Sequence, residues 1–154
     1  MGRSRSKLLL SLVAVLLAGA GYTLRPDEAR SKAGGAGESL TGCKVTDGDT
    51  IRCGDERIRL LGIDAPELKG HCRKGRKCAP GNGLASKESL HFALVGKLRI
   101  DRIDTDRYGR TIALVSGAKG DLSCWQLEQH QAMYRQGWDN GNRLATICPS
   151  SGRS

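Results

Sequence analysis

Aromatic side chains are scarce in this sequence: one Phe, two Trp and three Tyr make up 4% of 154 residues. So thin a supply argues against a domain that holds nucleic acid by base stacking alone. No Cys-x-x-C pair occurs, which removes the commonest spacing of a zinc knuckle. The three histidines, His71, His91 and His130, show no catalytic spacing and read as surface or partly buried side chains. No internal repeat is present, and past Leu24 no apolar run reaches the ~20 residues of a membrane span.

Positive charge, by contrast, is plentiful. The formal net charge is +9, from 25 basic and 16 acidic side chains. Six basic and three acidic groups lie in residues 1–42, so most of the surplus belongs to residues 43–154. A small domain with such a surplus attracts polyanions, and nucleic acid is the commonest soluble one. The length suits one domain with one modest core.

The first residues read as an address. Arg3, Arg5 and Lys7 precede an apolar run, Leu8 to Ala20, broken only by Ser11, and Ala18-Gly19-Ala20 supplies a small-x-small cleavage pattern. A signal peptide over 1–20, with a mature chain starting at Gly21, is one reading. An uncleaved membrane anchor extending to Leu24 is the other. Either puts the domain outside the cytoplasm, secreted, periplasmic or held at the envelope. Residues 21–42, rich in Gly, Ala, Ser and charge, read as a flexible linker, which leaves 43–150 as the folded domain.

Export bears on the cysteines. Cys43, Cys53, Cys72, Cys78, Cys124 and Cys148 are an even set, and in an oxidising compartment an even set implies disulfides. Nearest neighbours are the expected pairs. Cys43 and Cys53 flank a hairpin turn, Cys72 and Cys78 close a basic loop, and Cys124–Cys148 ties the tail to the last helix. Zinc at His71, Cys72 and Cys78 is the competing reading.

Within the domain, Lys44 to Cys53 reads as a strand pair turning at Asp47-Gly48, and Glu56 to Leu61 alternates with Ile58 and Leu60 on one side and Arg57 and Arg59 on the other. Leu84 to Val95 reads as a helix stopped by Gly96. Lys97 to Ile103 and Thr111 to Val115 are further strands, Leu122 to Tyr134 a second helix, and the tail irregular. Short strands with two helices in about a hundred residues fit a small barrel, closed or partly open, better than a sandwich.

Three clusters carry chemistry. Asp47-Gly48-Asp49-Thr50, Asp64-Ala65-Pro66-Glu67 and Asp106-Arg107-Tyr108-Gly109-Arg110 each read singly as a turn. Together they place three carboxylates (Asp49, Asp64, Glu67) and two arginines (Arg59, Arg110) at or beside strand ends. Carboxylates suit hard cations such as Ca²⁺ or Mg²⁺. Arginine forks match phosphate oxygens. A metal with two arginines is what phosphodiester cleavage calls for, because negative charge gathers at phosphorus in the transition state.

Order, spacing and identity in these runs resemble the thermonuclease (staphylococcal nuclease) family, closely from about Cys43 to Val115 and loosely beyond. The resemblance implies a mainly β fold, a five-stranded OB-fold barrel with two or so short packed helices. It implies a Ca²⁺-dependent nuclease that hydrolyses DNA and RNA to 3′-phosphate and 5′-hydroxyl ends. Carried over by position, Asp49 and Asp64 bind the calcium, and Ala65 contributes its backbone carbonyl. Glu67 orients or deprotonates the attacking water, Arg59 and Arg110 grip the phosphoryl oxygens, and Asp47 supports the turn. The tyrosine-rich base-seating segment of the best-known member has no clear counterpart. Trp125 and Trp138 therefore read as core or tail-packing residues. Nothing in the pattern calls for more than a monomer. The alternatives are a non-catalytic OB-fold that binds nucleic acid and a disulfide-stapled envelope interaction module.

Overall fold

In the computed structural model the chain is described over residues 37–148. The expected leader, its cleavage point and most of the linker lie outside the described residues. Nine strands and three helices follow in the order β1 (Glu38–Leu40), β2 (Cys43–Asp47), β3 (Thr50–Cys53), β4 (Glu56–Leu60), β5 (Ile63–Asp64), α1 (Gly83–Ala93), β6 (Leu98–Thr105), β7 (Thr111–Gly117), β8 (Gly120–Asp121), α2 (Leu122–Glu128), β9 (Met133–Tyr134) and α3 (Arg143–Ile147). Among the described residues no helix is long and apolar enough to cross a membrane.

The main sheet runs β1-β6-β7-β4-β3-β2, with β8 added beside β7, and β4 and β7 are parallel while the other pairs are antiparallel. Its two edge strands, β1 and β2, are separated in sequence only by Thr41 and Gly42. Three peptide steps from Leu40 to Cys43 reach at most ~11 Å, so the edges come close and the sheet must curl. The result is mainly β, a curled half-barrel sheet with three helices. Gly42 makes the link with φ +64, in the left-handed region that side chains disfavour.

Alternation fills the inside. Ile51, Ile58, Leu60, Ile100, Ala113 and Val115 are buried from the sheet, and Leu90, Leu122 and Leu144 meet them from the three helices. The Asn82 side chain caps α1 by accepting from the backbone N–H of Leu84 and Ala85, and Asp121 does the same for α2 through Ser123 and Cys124. Cys43 stands opposite Cys53 in the β2–β3 register, and the three disulfides are Cys43–Cys53, Cys72–Cys78 and Cys124–Cys148. Because Cys72 and Cys78 are bonded to each other, they are not thiolate ligands and the zinc reading fails.

Three boundaries differ from the sequence expectations. Glu38–Leu40, inside the segment read as linker, forms β1 because the edge of β6 offers it a partner and Arg102 reaches Glu38 at 2.9 Å. The second helix stops at Glu128, where His130 turns out of the helix with φ +55, and Met133–Tyr134 instead pair with β5. The tail holds α3, whose backbone N–H groups at Leu144 and Ala145 donate to the buried Asp139 carboxylate.

Candidate active site

Tight packing behind one turn fixes the first acid. Gly48 lies so close to α1 that a Cβ there would sit 2.0 Å from Ser86 Oγ and 2.7 Å from Ala65 Cβ, so only glycine fits. The Gln126 amide of α2 donates to Gly48 O at 2.7 Å and to Ser86 O at 2.9 Å. The Asp47 carboxylate accepts from the backbone N–H of Asp49, which matches the supporting part expected of Asp47. Asp49 is thereby held inside the fold, its carboxylate accepting from Thr50 Oγ1 and, across the site, from the Ala65 N–H at 3.0 Å.

Arg59 leaves β4 out of phase with Ile58 and Leu60, as its alternation predicts. Its Nη1 meets Asp49 Oδ1 at 2.7 Å, while its Nη2 lies 3.6 Å from Asp64 Oδ1 and donates to Ile63 O at 3.1 Å. One guanidinium thus bridges two buried carboxylates from separate motifs. Burial pushes the Asp49 carboxyl up to about 7, against the opposing pull of Arg59. Glu67 is joined to this group through Arg76, which contacts Glu67 Oε1 at 2.8 Å and Asp64 Oδ1 at 3.3 Å. Ala65 is buried between Asp49 and the start of the next segment.

Arg110 takes a different place. It follows the Asp106–Gly109 turn and is clasped by Asp106, whose Oδ2 accepts from Nε and pairs with Nη2, both at 2.7 Å. Its guanidinium also lies 5.6 Å from the Tyr108 ring centre. The fold therefore unites Asp49, Arg59, Asp64 and Glu67 through direct and Arg76-mediated contacts, and keeps Arg110 on its own hairpin.

Arg135 and Arg76 are the side chains that the motifs do not single out. Arg135 follows β9, its N–H donating to Gly62 O, and its Nη2 reaches Asp64 Oδ2 at 2.9 Å. Had the second helix continued to Tyr134, this placement would be invisible. Trp138, expected in the core or tail packing, is instead half-exposed, 5.5 Å from the Arg59 guanidinium and 5.9 Å from that of Arg135. It lines a cavity of about 530 Å³ with Asp64, Arg76, Tyr134 and Arg135. Trp125 behaves as expected, packing 5.7 Å from Phe92 with its Nε1 donating to Ser89 Oγ.

Known proteins resemble this chain in sequence. The family model described as staphylococcal nuclease homologue matches residues 57–142, more than half of the sequence. The chain belongs to the staphylococcal nuclease family. It is 36% identical over 85 residues to a thermonuclease of Staphylococcus intermedius, an overlap of 51% of this chain and 49% of that protein. It is 33% identical over 105 residues to the succinoglycan biosynthesis protein ExoI of Rhizobium meliloti (strain 1021), covering 66% and 55% of the two chains. An uncharacterized endonuclease of Haemophilus influenzae (strain ATCC 51907 / DSM 11121 / KW20 / Rd) is 33% identical over 100 residues, covering 60% and 51%. The chain spans about half the length of these curated relatives. For a staphylococcal nuclease homologue the site has one further point of interest: Asp49 precedes the matched span, and Arg59 and the Ala65 N–H bring it in.

Proposed function

We propose that this chain is an exported, metal-dependent nuclease that hydrolyses phosphodiester bonds of DNA and RNA and leaves 3′-phosphate and 5′-hydroxyl ends. The observation that carries the reading is the Arg59 fork laid across Asp49 and Asp64, with Glu67 tied to Asp64 through Arg76. The curled sheet supports a five-stranded OB-fold barrel as the fold reading, with β1 and β2 counted as one kinked strand beside β3, β4, β6 and β7.

The residues fit a calcium ion. Asp49 and Asp64 offer hard oxygens, the Ala65 carbonyl stands next in the chain, and Ca²⁺ tolerates the irregular shell such a set gives. When bound, the ion supplies Lewis-acid polarisation of a phosphoryl oxygen.

The protein's own groups account for the rest. Glu67 accepts a proton from the attacking water, whose oxygen bonds to phosphorus as the bond to the 5′ oxygen breaks; the departing oxygen takes a proton from solvent to become the 5′-hydroxyl, and Glu67 returns its own to solvent. Arg59 donates to the phosphoryl oxygens as their charge grows, from a position already set by Asp49 and the Ile63 carbonyl. Arg110, steadied by Asp106, joins from its own hairpin and stabilises the leaving oxygen. Export through the 1–20 leader is supported by the three disulfides, which persist in oxidising compartments.

Incubation of the purified protein with plasmid DNA and with RNA, in Ca²⁺ or in chelator, tests the reading. Cleavage in Ca²⁺ that chelator stops and Mg²⁺ restores only weakly is the expected result. Binding without cleavage in either would establish the non-catalytic OB-fold alternative instead.

A further inference from the structure

Residues 69–77 hold five cations, Lys69, Arg73, Lys74, Arg76 and Lys77, and no carboxylate. Among the described residues only Arg76 of these five forms an ion pair. Its backbone N–H donates to Arg73 O at 3.0 Å, and Gly75 between them has φ +83. That is a β-turn with glycine where the left-handed residue must be, and its end Cα atoms lie within about 7 Å of each other. The Cys72–Cys78 disulfide closes immediately around it.

The two ends of this turn face different halves of the site. Arg76 reaches Glu67 and Asp64. The Arg73 guanidinium lies 5.8 Å from the Tyr108 ring centre, a ring that Arg107 and Arg110 also approach, at 4.9 and 5.6 Å. A guanidinium against a ring spends its face there and keeps its N–H edge for acceptors. Arg76 commits two of its five N–H donors to carboxylates and retains the others. One disulfide-framed turn therefore spans from the carboxylates to the Arg110 hairpin with cationic donors at both ends.

We propose that the Arg73–Arg76 turn is a second phosphate-binding site, which holds backbone phosphate next to the scissile one on a bound strand. The inference rests on the nuclease reading above; it gives Arg73 a role that reading leaves open and Arg76 a second one beside its link between Glu67 and Asp64. Each strand of a duplex carries one phosphate per about 3.4 Å of helix axis, so two guanidinium groups on one short turn meet adjacent phosphates rather than distant ones. The disulfide's part is to fix both arginines before the strand arrives, so that binding does not have to order a free loop.

The test is a salt titration of binding by the full chain, with disulfides intact and chelator present so that nothing is cut. A fluorescent single-stranded oligonucleotide is followed by anisotropy for the wild type, Arg73→Gln, Arg76→Gln and the double Cys72→Ser/Cys78→Ser variant, each checked by a thermal melt. Each lost phosphate contact should make the slope of log K against log salt shallower by about 0.7. The cysteine variant keeps the charges, so its slope should stay while its affinity falls about tenfold. Should that variant not fold, the two arginine variants, both at surface positions, still decide. Unchanged slopes in both arginine variants overturn the proposal, as does a wild type that binds no oligonucleotide; unchanged affinity in a folded cysteine variant removes the brace. Hydrolysis by the wild type in Ca²⁺ is read separately. Cutting with unchanged slopes would leave the nuclease and remove the clamp, and altered slopes without cutting would do the reverse.

Discussion

Replacing Arg59 by lysine separates the guanidinium fork from its charge. In the fold, Nη1 is spent on Asp49 at 2.7 Å, and Nη2 holds Ile63 O at 3.1 Å while lying 3.6 Å from Asp64. A lysine ammonium is a single point and cannot hold Asp49 and serve the Ile63–Asp64 side together. Loss of the bond to the Ile63 carbonyl should cost about 1 kcal/mol of stability, a shift of roughly 4–8 °C in melting for a domain near a hundred residues. Catalysis should lose more, because a preorganised donor aimed at developing charge is worth about 2.7–4 kcal/mol in the transition state, a hundred- to thousand-fold in rate. Long-range attraction to phosphate survives, since the charge is retained. The expected pattern is kcat on a defined oligonucleotide down by at least about a hundredfold, with binding in Ca²⁺ and the melt only modestly changed. A folded variant with near-wild-type kcat would take Arg59 out of the mechanism and leave it as a strut between two acids.

Gly48→Ala should destabilise by about 1–3 kcal/mol, because its Cβ meets Ser86 Oγ at 2.0 Å, and Ser86→Gly should recover part of that loss in a melting series. Trp138→Ala should raise KM for oligonucleotides severalfold with little change in kcat, since the ring lines the cavity beside Asp64 and contributes no proton or charge; an equal fall in kcat would contradict this. Hydrogen bonds from Arg102 hold the Glu56 carboxyl below its ordinary value of 4.5. A folded-state value below the unfolded one adds stability at higher pH that is lost as pH falls through the folded value, so the window lies below about 4.5. The pair is partly exposed and worth under ~1 kcal/mol, so Glu56→Gln should melt a few degrees lower at neutral pH, and the difference should close in acid.

Much of the site is legible in the sequence because it is written in short runs. Alternation in Glu56 to Leu61 places Arg59 off the core, and Asp-Gly at 47–48 places Asp49 just past a turn, where the fold has them. The disulfides are legible for the same local reason, since each joins neighbours and Cys43 faces Cys53 across one hairpin. Contacts made by chain reversal are not. Arg135 reaches Asp64 only because His130 breaks the helix and β9 folds back on β5, and no periodicity announces a two-residue strand. Trp138 is hidden by the same reversal. The edge strand β1 is hidden because Glu38–Leu40 has little apolar content, and its pairing is supplied by β6 rather than by its own pattern.

Charge balance explains why the arginines that the motifs omit belong to the site. Asp49 and Asp64 are buried, and a buried carboxylate without a partner is strongly destabilising. Arg59 partners the first and, with Arg76 and Arg135, surrounds the second, while Arg76 also neutralises Glu67. Three acids and three arginines cancel locally, so the floor of the cleft has little net charge with which to draw a polyanion. The attraction must then come from the rim, where Arg73, Lys74, Lys77 and Arg107 make no ion pair among the described residues. The floor is built to hold acids ready for chemistry, and the rim to bring phosphate to them. Substitutions on the rim should therefore move the salt dependence of binding, substitutions on the floor should move turnover, and Arg76, which pairs with the floor acids from the rim turn, should move both.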